Sequence, residues 1–211
     1  MTHVYKTEEE QIEDLKRWIK SYGPSILAGI VLAIVCLYGW RYWNSYQHDR
    51  AVSASTLYQH VVEAYQTNSQ DVLATVLSQL QEHYPHSPYT QYALFIQAKI
   101  SVDAEDYSGA DAALSWVVEH TRDRSIESIA RLRLGAIQTA EHYEEAAIQT
   151  LEKIDQHSFK GLALIKIGDA YHALGNEEKA KQAYMAASQL LPDASNTMPT
   201  LGVKLDQSIK S

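Results

Sequence analysis

The chain consists of one long uncharged segment followed by a series of shorter segments with helical periodicity. Residues 21–40 (SYGPSILAGIVLAIVCLYGW) contain no charged side chain. A helix of that length is about 30 Å long, which matches the hydrocarbon core of a bilayer. Aromatic side chains flank both ends, as is typical of membrane interfaces; they are Trp18, Tyr22, Tyr38, Trp40, Tyr42 and Trp43. The pattern predicts a membrane-spanning helix over residues 21–43.

Three other interpretations of the uncharged segment fit the sequence less well. A core helix of a soluble protein is seldom uninterrupted by charge between aromatic flanks. A cleaved signal peptide has a shorter apolar stretch, and an Ala-x-Ala-like cleavage site follows it. A lipoprotein carries a small residue before its processed cysteine, whereas Val35 precedes Cys36 here. We therefore expect an uncleaved signal anchor, with Cys36 as a membrane thiol that has no chemical role.

Basic residues are distributed unevenly around the anchor. Lys16, Arg17 and Lys20 lie directly before the uncharged segment 21–40, whereas only Arg41 and Arg50 follow that segment before residue 99. Since positively charged residues favour the cytoplasmic side, the bias predicts a cytoplasmic tail over residues 1–20 and an external domain over residues 44–211. The reverse topology stays open, and it would make the remaining domain a cytosolic docking module.

The segment after the anchor has the periodicity of helical hairpins. Its clearest unit covers residues 161–194 and matches the tetratricopeptide repeat (TPR) pattern. The matching positions are Leu164, Ile167-Gly168, Tyr171, Gly175, Ala180, Tyr184, Ala187 and Pro192. Small residues such as Gly168 and Ala180 let two antiparallel helices approach closely, and the tyrosines fill the space between them. A match over the whole repeat strongly indicates one TPR hairpin.

Weaker repeats precede this unit. Leu134-Gly135 lies 33 residues before Ile167-Gly168 and marks a hairpin over residues 128–159. Further helix pairs are predicted over residues 92–102 and 108–120, and over residues 51–66 and 71–83. The first of these helices has no Pro or Gly between it and the anchor, which predicts one continuous helix. Residues Leu201, Leu205 and Ile209 predict a short helix after Thr197 that covers the last repeat.

Together, these patterns predict an all-α protein. It has a single N-terminal transmembrane helix, a TPR-like α-solenoid of about four helical hairpins, and a C-terminal capping helix. Its 18 Lys and Arg residues and 26 Asp and Glu residues give a net charge of −8. Such an acidic chain is a poor candidate for binding nucleic acid, which attracts clustered Lys and Arg.

Candidate catalytic chemistry is scarce. The single cysteine excludes an internal disulfide and a cysteine-based zinc site. His83 and His86 are three residues apart, but no Cys or carboxylate pair nearby completes a zinc set. The paired glutamates at 144–145 and 177–178 begin helices, where they complement the helix dipole. The sequence shows neither a phosphate-binding loop nor a nucleophile elbow, and we expect no enzyme activity, no metal and no cofactor.

The first helices of the repeats provide the candidate binding surface, which we call the first-helix face. Its predicted residues are Tyr92, Phe95, Lys99, Leu132, Ala136, Thr139, Ile165, Asp169 and His172. This face is largely apolar, which disfavours a receptor for acidic C-terminal peptides and favours unfolded segments or an amphipathic helix. The alternative is that these residues pack against neighbouring repeats. In the anchor, Gly29 and Ala33 form a small-xxx-small pair suited to packing against another membrane helix.

The segment after the anchor, GWRYWNS at residues 39–45, is similar to the YfgM family, the ancillary SecYEG translocon subunits of Gram-negative bacteria. The resemblance extends from residues 11–18 through residues 53–55 and 132–134 to the final repeat. It implies a single-pass inner-membrane protein with a cytoplasmic N-terminus and a periplasmic TPR-like domain. It also implies association with SecYEG and the periplasmic chaperone PpiD, and transfer of unfolded secretory proteins to chaperones. A cell-envelope TPR adaptor that is not tied to the secretion channel is the alternative.

Overall fold

The computed structural model describes residues 8–191, in which every regular element is an α-helix. The eight helices of this part are α1 (Glu8–Gln66), α2 (Gln70–His83), α3 (Pro88–Asp103), α4 (Tyr107–His120), α5 (Arg124–Ala140), α6 (Glu144–Glu152), α7 (His157–Ala173) and α8 (Glu177–Leu190). They confirm the all-α prediction and the predicted helix pairs. Pro192 and the predicted capping helix over residues 198–209 lie outside the described residues.

Helix α1 is 59 residues long and contains the uncharged segment. Within the part of the chain that the structure describes, this helix alone is long and apolar enough to cross a membrane, over the stretch Leu27–Gln66. Its apolar side chains are exposed: Leu32 is 65% and Leu37 is 68% exposed. They therefore do not pack as the core helix of a soluble protein would. Residues up to Val52 form one compact unit, and residues from Ser53 form a second.

The second unit contains four antiparallel hairpins, each of which turns in the same way. One residue in each turn has a left-handed backbone, with φ of 54°, 58°, 64° and 72° at Asn68, Glu105, His142 and Gly175. The next residue donates its N–H to the carbonyl five positions earlier, at 2.8 Å in all four turns. This bond is the hallmark of the Schellman motif, which satisfies carbonyl groups at the end of a helix.

The residue after the left-handed position also begins the second helix in two of the hairpins. The Asp106 carboxylate accepts a hydrogen bond from the Gly109 N–H at 2.9 Å, and the Asn176 side chain accepts one from the Lys179 N–H at 3.1 Å. Both bonds satisfy N–H groups that the first turn of a helix leaves unpaired. One short turn thus ends the first helix and starts the second.

Close helix approach in the last hairpin depends on a glycine. A Cβ atom at Gly168 would lie 2.6 Å from Cδ1 of Tyr184, whose ring is only 3% exposed. Ala180, on the same side of α8, is fully buried. Gly135 has the same role in the preceding repeat, where a Cβ atom would lie 2.7 Å from Cγ of Leu151. The close approach predicted from Gly168 and Ala180 is therefore present.

The left-handed turns generate a testable prediction. Replacing Glu105 with Gly should raise the free energy of unfolding by about 0.5–1 kcal/mol, because glycine adopts a positive φ without steric cost. The matched control is Ala104→Gly, one residue earlier, where φ is −93°. It should lower the same quantity, since glycine there only adds entropy to the unfolded chain.

Urea unfolding of the full-length chain, followed by circular dichroism, measures both variants. If Glu105→Gly destabilised the protein as much as Ala104→Gly does, the left-handed turn would be contradicted.

Candidate protein-binding site

Helix α3 presents three of the predicted residues as one stripe. Tyr92, Phe95 and Lys99 are three and four positions apart, a spacing that places side chains on one helix face. Tyr92 is 43% exposed, Lys99 is exposed and Phe95 is half-buried. The Lys99 ammonium lies 2.5 Å from the Asp103 carboxylate, and this hydrogen bond raises the pKa of Lys99. The stripe is therefore aromatic at one end and charge-compensated at the other.

Two tyrosines that were not predicted extend the stripe into an aromatic patch. The ring centroid of Tyr58, on α1, lies 5.9 Å from that of Tyr89 and 6.3 Å from that of Tyr92. These are ordinary separations for favourable aromatic pairs. We define the aromatic patch as Tyr58, Tyr89, Tyr92 and Phe95. Tyr89 could have been found from the sequence, since it precedes Tyr92 by one helical turn, whereas Tyr58 becomes a neighbour only through packing.

Arg133 connects the patch to the next repeat. Its guanidinium carbon lies 4.6 Å from the ring centroid of Phe95, which places a cation over an aromatic face. Arg133 is exposed, and among the described residues no carboxylate pairs with it. A guanidinium stacked in this way keeps N–H donors at its edge, which suits it to bind a carboxylate or a peptide carbonyl. Arg133 therefore places a guanidinium beside the aromatic patch.

Helix α5 differs from the prediction at Leu132. This side chain is only 8% exposed and packs with Ala147 and Ile148, so the exposed position of this turn belongs to Arg133. The physical reason is that α5 buries two faces. Its other apolar residues, among them Ile126 and Leu134, belong to the core shared with the preceding hairpins.

The two remaining α5 candidates offer little to a ligand. Ala136 and Thr139 are half-buried. The Thr139 hydroxyl donates to the Gly135 carbonyl in its own helix at 2.9 Å. The contribution of α5 to the first-helix face is therefore a small apolar surface next to Arg133.

The predicted residues of α7 mainly serve their own hairpin. Ile165 is half-buried and packs against the cluster of Ala180 and Tyr184. Asp169 accepts a hydrogen bond from the Tyr184 hydroxyl at 2.7 Å, and Nδ1 of His172 lies 2.6 Å from Glu177 Oε1. Burial of Tyr184, together with the hydrogen bond to Asp169, raises the pKa of the phenol well above its usual range. The stripe on α3 is thus the better exposed part of the first-helix face.

The anchor residues and the histidines complete the set of candidates. Gly29 and Ala33 are exposed on α1, and a Cβ atom at Gly29 would meet nothing within 4 Å. Packing of this pair against another helix stays a prediction.

His86 Nδ1 lies 2.8 Å from the His120 carbonyl oxygen, so this histidine contacts the end of the neighbouring hairpin. In the searched part of the chain, no group of three His, Cys, Asp or Glu residues could hold a metal ion.

Comparisons with known proteins agree with this architecture. Residues 16–209 match the family model of the tetratricopeptide repeat-like domain. Several relatives carry the name ancillary SecYEG translocon subunit. The protein from Haemophilus influenzae is 31% identical over 88% of this chain and 91% of its own. The Escherichia coli protein is 29% identical over 92% of this chain and 95% of its own. The Neisseria gonorrhoeae protein is 27% identical over 94% of this chain and 96% of its own.

A solved structure shares the fold. The crystal structure of MamA protein aligns with a TM-score of 0.51 and 18% identity, over 72% of this chain and 80% of that one. At this identity the match supports the TPR-like fold alone.

The bond between Tyr184 and Asp169 predicts a pH-dependent stability. Tyr184→Phe should lower the free energy of unfolding near pH 8 by about 1–2 kcal/mol, because a hydrogen bond to a charged group is lost. The folded state raises the tyrosine pKa above its unfolded value of about 10, so the unfolded chain loses this proton first. The stabilisation that Tyr184 provides is therefore fully present below about pH 10, and it declines as the pH rises above that value.

Urea unfolding at pH 8 and pH 11 measures the difference between the two proteins. The difference in the free energy of unfolding between wild type and Tyr184→Phe should be smaller at pH 11 than at pH 8. Tyr143→Phe, at a 60% exposed position, is the control and should show no such change. A gap that stayed constant would contradict the assignment.

Proposed function

Because the chain belongs to the family of ancillary SecYEG translocon subunits and carries their tetratricopeptide repeat-like domain, we propose that it is a non-catalytic ancillary subunit of the SecYEG translocon. Its role is to link newly translocated proteins to the periplasmic chaperone network. The observation that carries this proposal is the aromatic patch on the first-helix face, in which Tyr92 is exposed and the other three rings are half-buried. A patch of this kind provides a protein-binding surface on a rigid helical scaffold.

The proposed topology follows from α1. Residues 1–20 form a cytoplasmic tail, residues 21–43 a single anchor in the inner membrane, and residues 44–211 a periplasmic domain. The exposed apolar side chains of α1 support the anchor. The cluster of Lys16, Arg17 and Lys20 before it supports the orientation, because positive charge is retained on the cytoplasmic side.

The aromatic patch suits unfolded segments because it recognises apolar side chains without demanding one sequence. Tyrosine and arginine are among the residues enriched where binding energy concentrates at protein interfaces, and here Tyr92 and Arg133 are both exposed. We propose that emerging secretory chains, or a segment of the chaperone PpiD, bind there. Anchoring raises the effective concentration near the channel, so that a weak individual contact is sufficient.

A cell-envelope adaptor that is not tied to the channel would use the same surface. Its partners would be proteins of cell-wall or division assemblies, and SecYEG would not be among them. The identity of cross-linked partners therefore distinguishes the two functions.

Photo-cross-linking in living cells tests the proposed partners. A photoreactive residue at Tyr92 should cross-link to SecYEG subunits, PpiD or newly translocated chains, because this side chain is the exposed ring of the aromatic patch. The matched control is Val72, which is 50% exposed on the second helix of the first hairpin, and it should give much weaker cross-links to those partners. Products that contain only division or cell-wall proteins would refute the translocon role.

Cysteine labelling tests the topology. In a Cys36→Ser background, Ala104→Cys places a thiol in an exposed turn of the repeat domain. An impermeant maleimide should label it in cells with a permeabilised outer membrane and an intact inner membrane. Thr2→Cys in the proposed cytoplasmic tail is the control and should react only after lysis. Labelling of Ala104→Cys only after lysis would show that the domain is cytosolic.

A further inference from the structure

The third hairpin has an unusually short second helix. Helix α6 has 9 residues, whereas α2, α4 and α8 have 14 residues each. A helix loses about 1.5 Å of length with each missing residue. Helix α6 is therefore about 7 Å shorter than its counterparts, and it leaves part of the side of α7 uncovered.

A cleft of about 430 Å³ lies where α6 ends. Its walls are the end of α6, the side of α7 and one face of α8, and no residue between 8 and 191 closes the remaining side. Leu151, Ile154 and Ile167 line it and are only 1%, 4% and 7% exposed. Because these residues also belong to the core that joins the last two hairpins, packing fixes the shape of the cleft. It is a preformed apolar site of the size that proteins use for binding.

The length of the cleft indicates its occupant. The lining residues of α7 extend from Lys160 to Tyr171, which corresponds to about 16 Å or three helical turns. An amphipathic helix fills a groove of this length with side chains at i, i+4, i+7 and i+11. A partner helix would there cover the side of α7 that the short α6 leaves open.

The charged residues at the rim of the cleft indicate which charges the partner helix carries beside its apolar stripe. Lys160 and Lys179 line the cleft, and the Lys179 amine lies 5.2 Å from the centroid of the Tyr171 ring. Within residues 8–191, no carboxylate forms an ion pair with either lysine, and Glu152 is the one acidic residue of the lining. A positive rim on a chain whose net charge is −8 complements acidic residues on a ligand.

We propose that the cleft between α6, α7 and α8 is a second protein-binding site, which takes an amphipathic helix with a three-turn apolar stripe and acidic flanks. The site uses none of the residues of the aromatic patch. It does not rest on the proposed function, since the binding of such a helix requires neither the channel nor a secretory chain.

A synthetic peptide tests the site directly. The probe is a fluorescent helical peptide with leucines at i, i+4, i+7 and i+11 and glutamates beside them. The control peptide has lysine in place of each glutamate. Fluorescence anisotropy with the full-length chain in nanodiscs should show binding of the glutamate peptide that is about tenfold tighter than binding of the lysine peptide, because several exposed ion pairs change sign.

Two variants locate the binding. Ala186→Trp fills the cleft from α8 and should weaken binding of the peptide about tenfold or more. The double variant Lys160→Glu/Lys179→Glu lies at exposed positions, where substitutions usually change stability little, and should weaken binding about three- to tenfold. Val72→Ser, at a 50% exposed position of α2 outside both surfaces, is the matched control and should leave the affinity unchanged.

Several results would overturn the proposal. Equal binding of both peptides, or unchanged binding to the double variant, would exclude a charge-matched helix. If Tyr92→Ser abolished binding of the glutamate peptide, the peptide would bind to the first-helix face and not to the cleft. Binding of dodecanoate that Ala186→Trp abolishes, without any binding of the peptide, would identify a lipid cleft instead.

Discussion

The backbone hydrogen bond that closes each hairpin is the constraint on which the repeat domain depends. In all four turns, an N–H group donates to the carbonyl five residues earlier across one left-handed residue. Because the same bond recurs, each second helix returns along its first helix in the same manner, and the first helices come to share a face. Only one turn uses glycine, at Gly175. The other three accept a left-handed side chain, which costs free energy that helix packing must offset.

Packing between the hairpins then decides which part of the first-helix face remains accessible. Helix α5 lies between two core clusters and buries apolar residues toward both, so that Arg133 is its one exposed residue between Ser125 and Thr139. Helix α3 retains Tyr92 on its exposed side, and Tyr58 of α1 joins it. The aromatic patch is therefore a consequence of where each helix stands in the array, and the contact between Arg133 and Phe95 joins the patch to α5.

The sequence was sufficient for the fold because helical periodicity and the TPR positions of the last repeat are local signals. The stripe of Tyr92, Phe95 and Lys99 was predictable for the same reason, since spacing alone places the three residues on one helix face. The burial of Leu132 was not predictable. A helix in the middle of the array packs against neighbours on two sides, and the pattern of α5 alone does not show which residues face the second neighbour. Tyr58 and Arg133 join the site across helix boundaries, and such contacts appear only once the hairpins are packed. The shortness of α6 was equally hidden, because Ile154, two residues after the end of the helix, continues its apolar pattern into the core.

Polar groups on the first-helix face are mostly satisfied by their own hairpins. Lys99 pairs with Asp103, His172 with Glu177, and Asp169 accepts from Tyr184. The face thus presents aromatic rings and one guanidinium rather than a pattern of free charges. Such a surface discriminates weakly between apolar sequences, because specificity is a difference of affinities and needs groups that reject the wrong ligand. For the proposed function, selectivity must then come from position, which a membrane anchor provides by restricting the domain to the clients that emerge beside it.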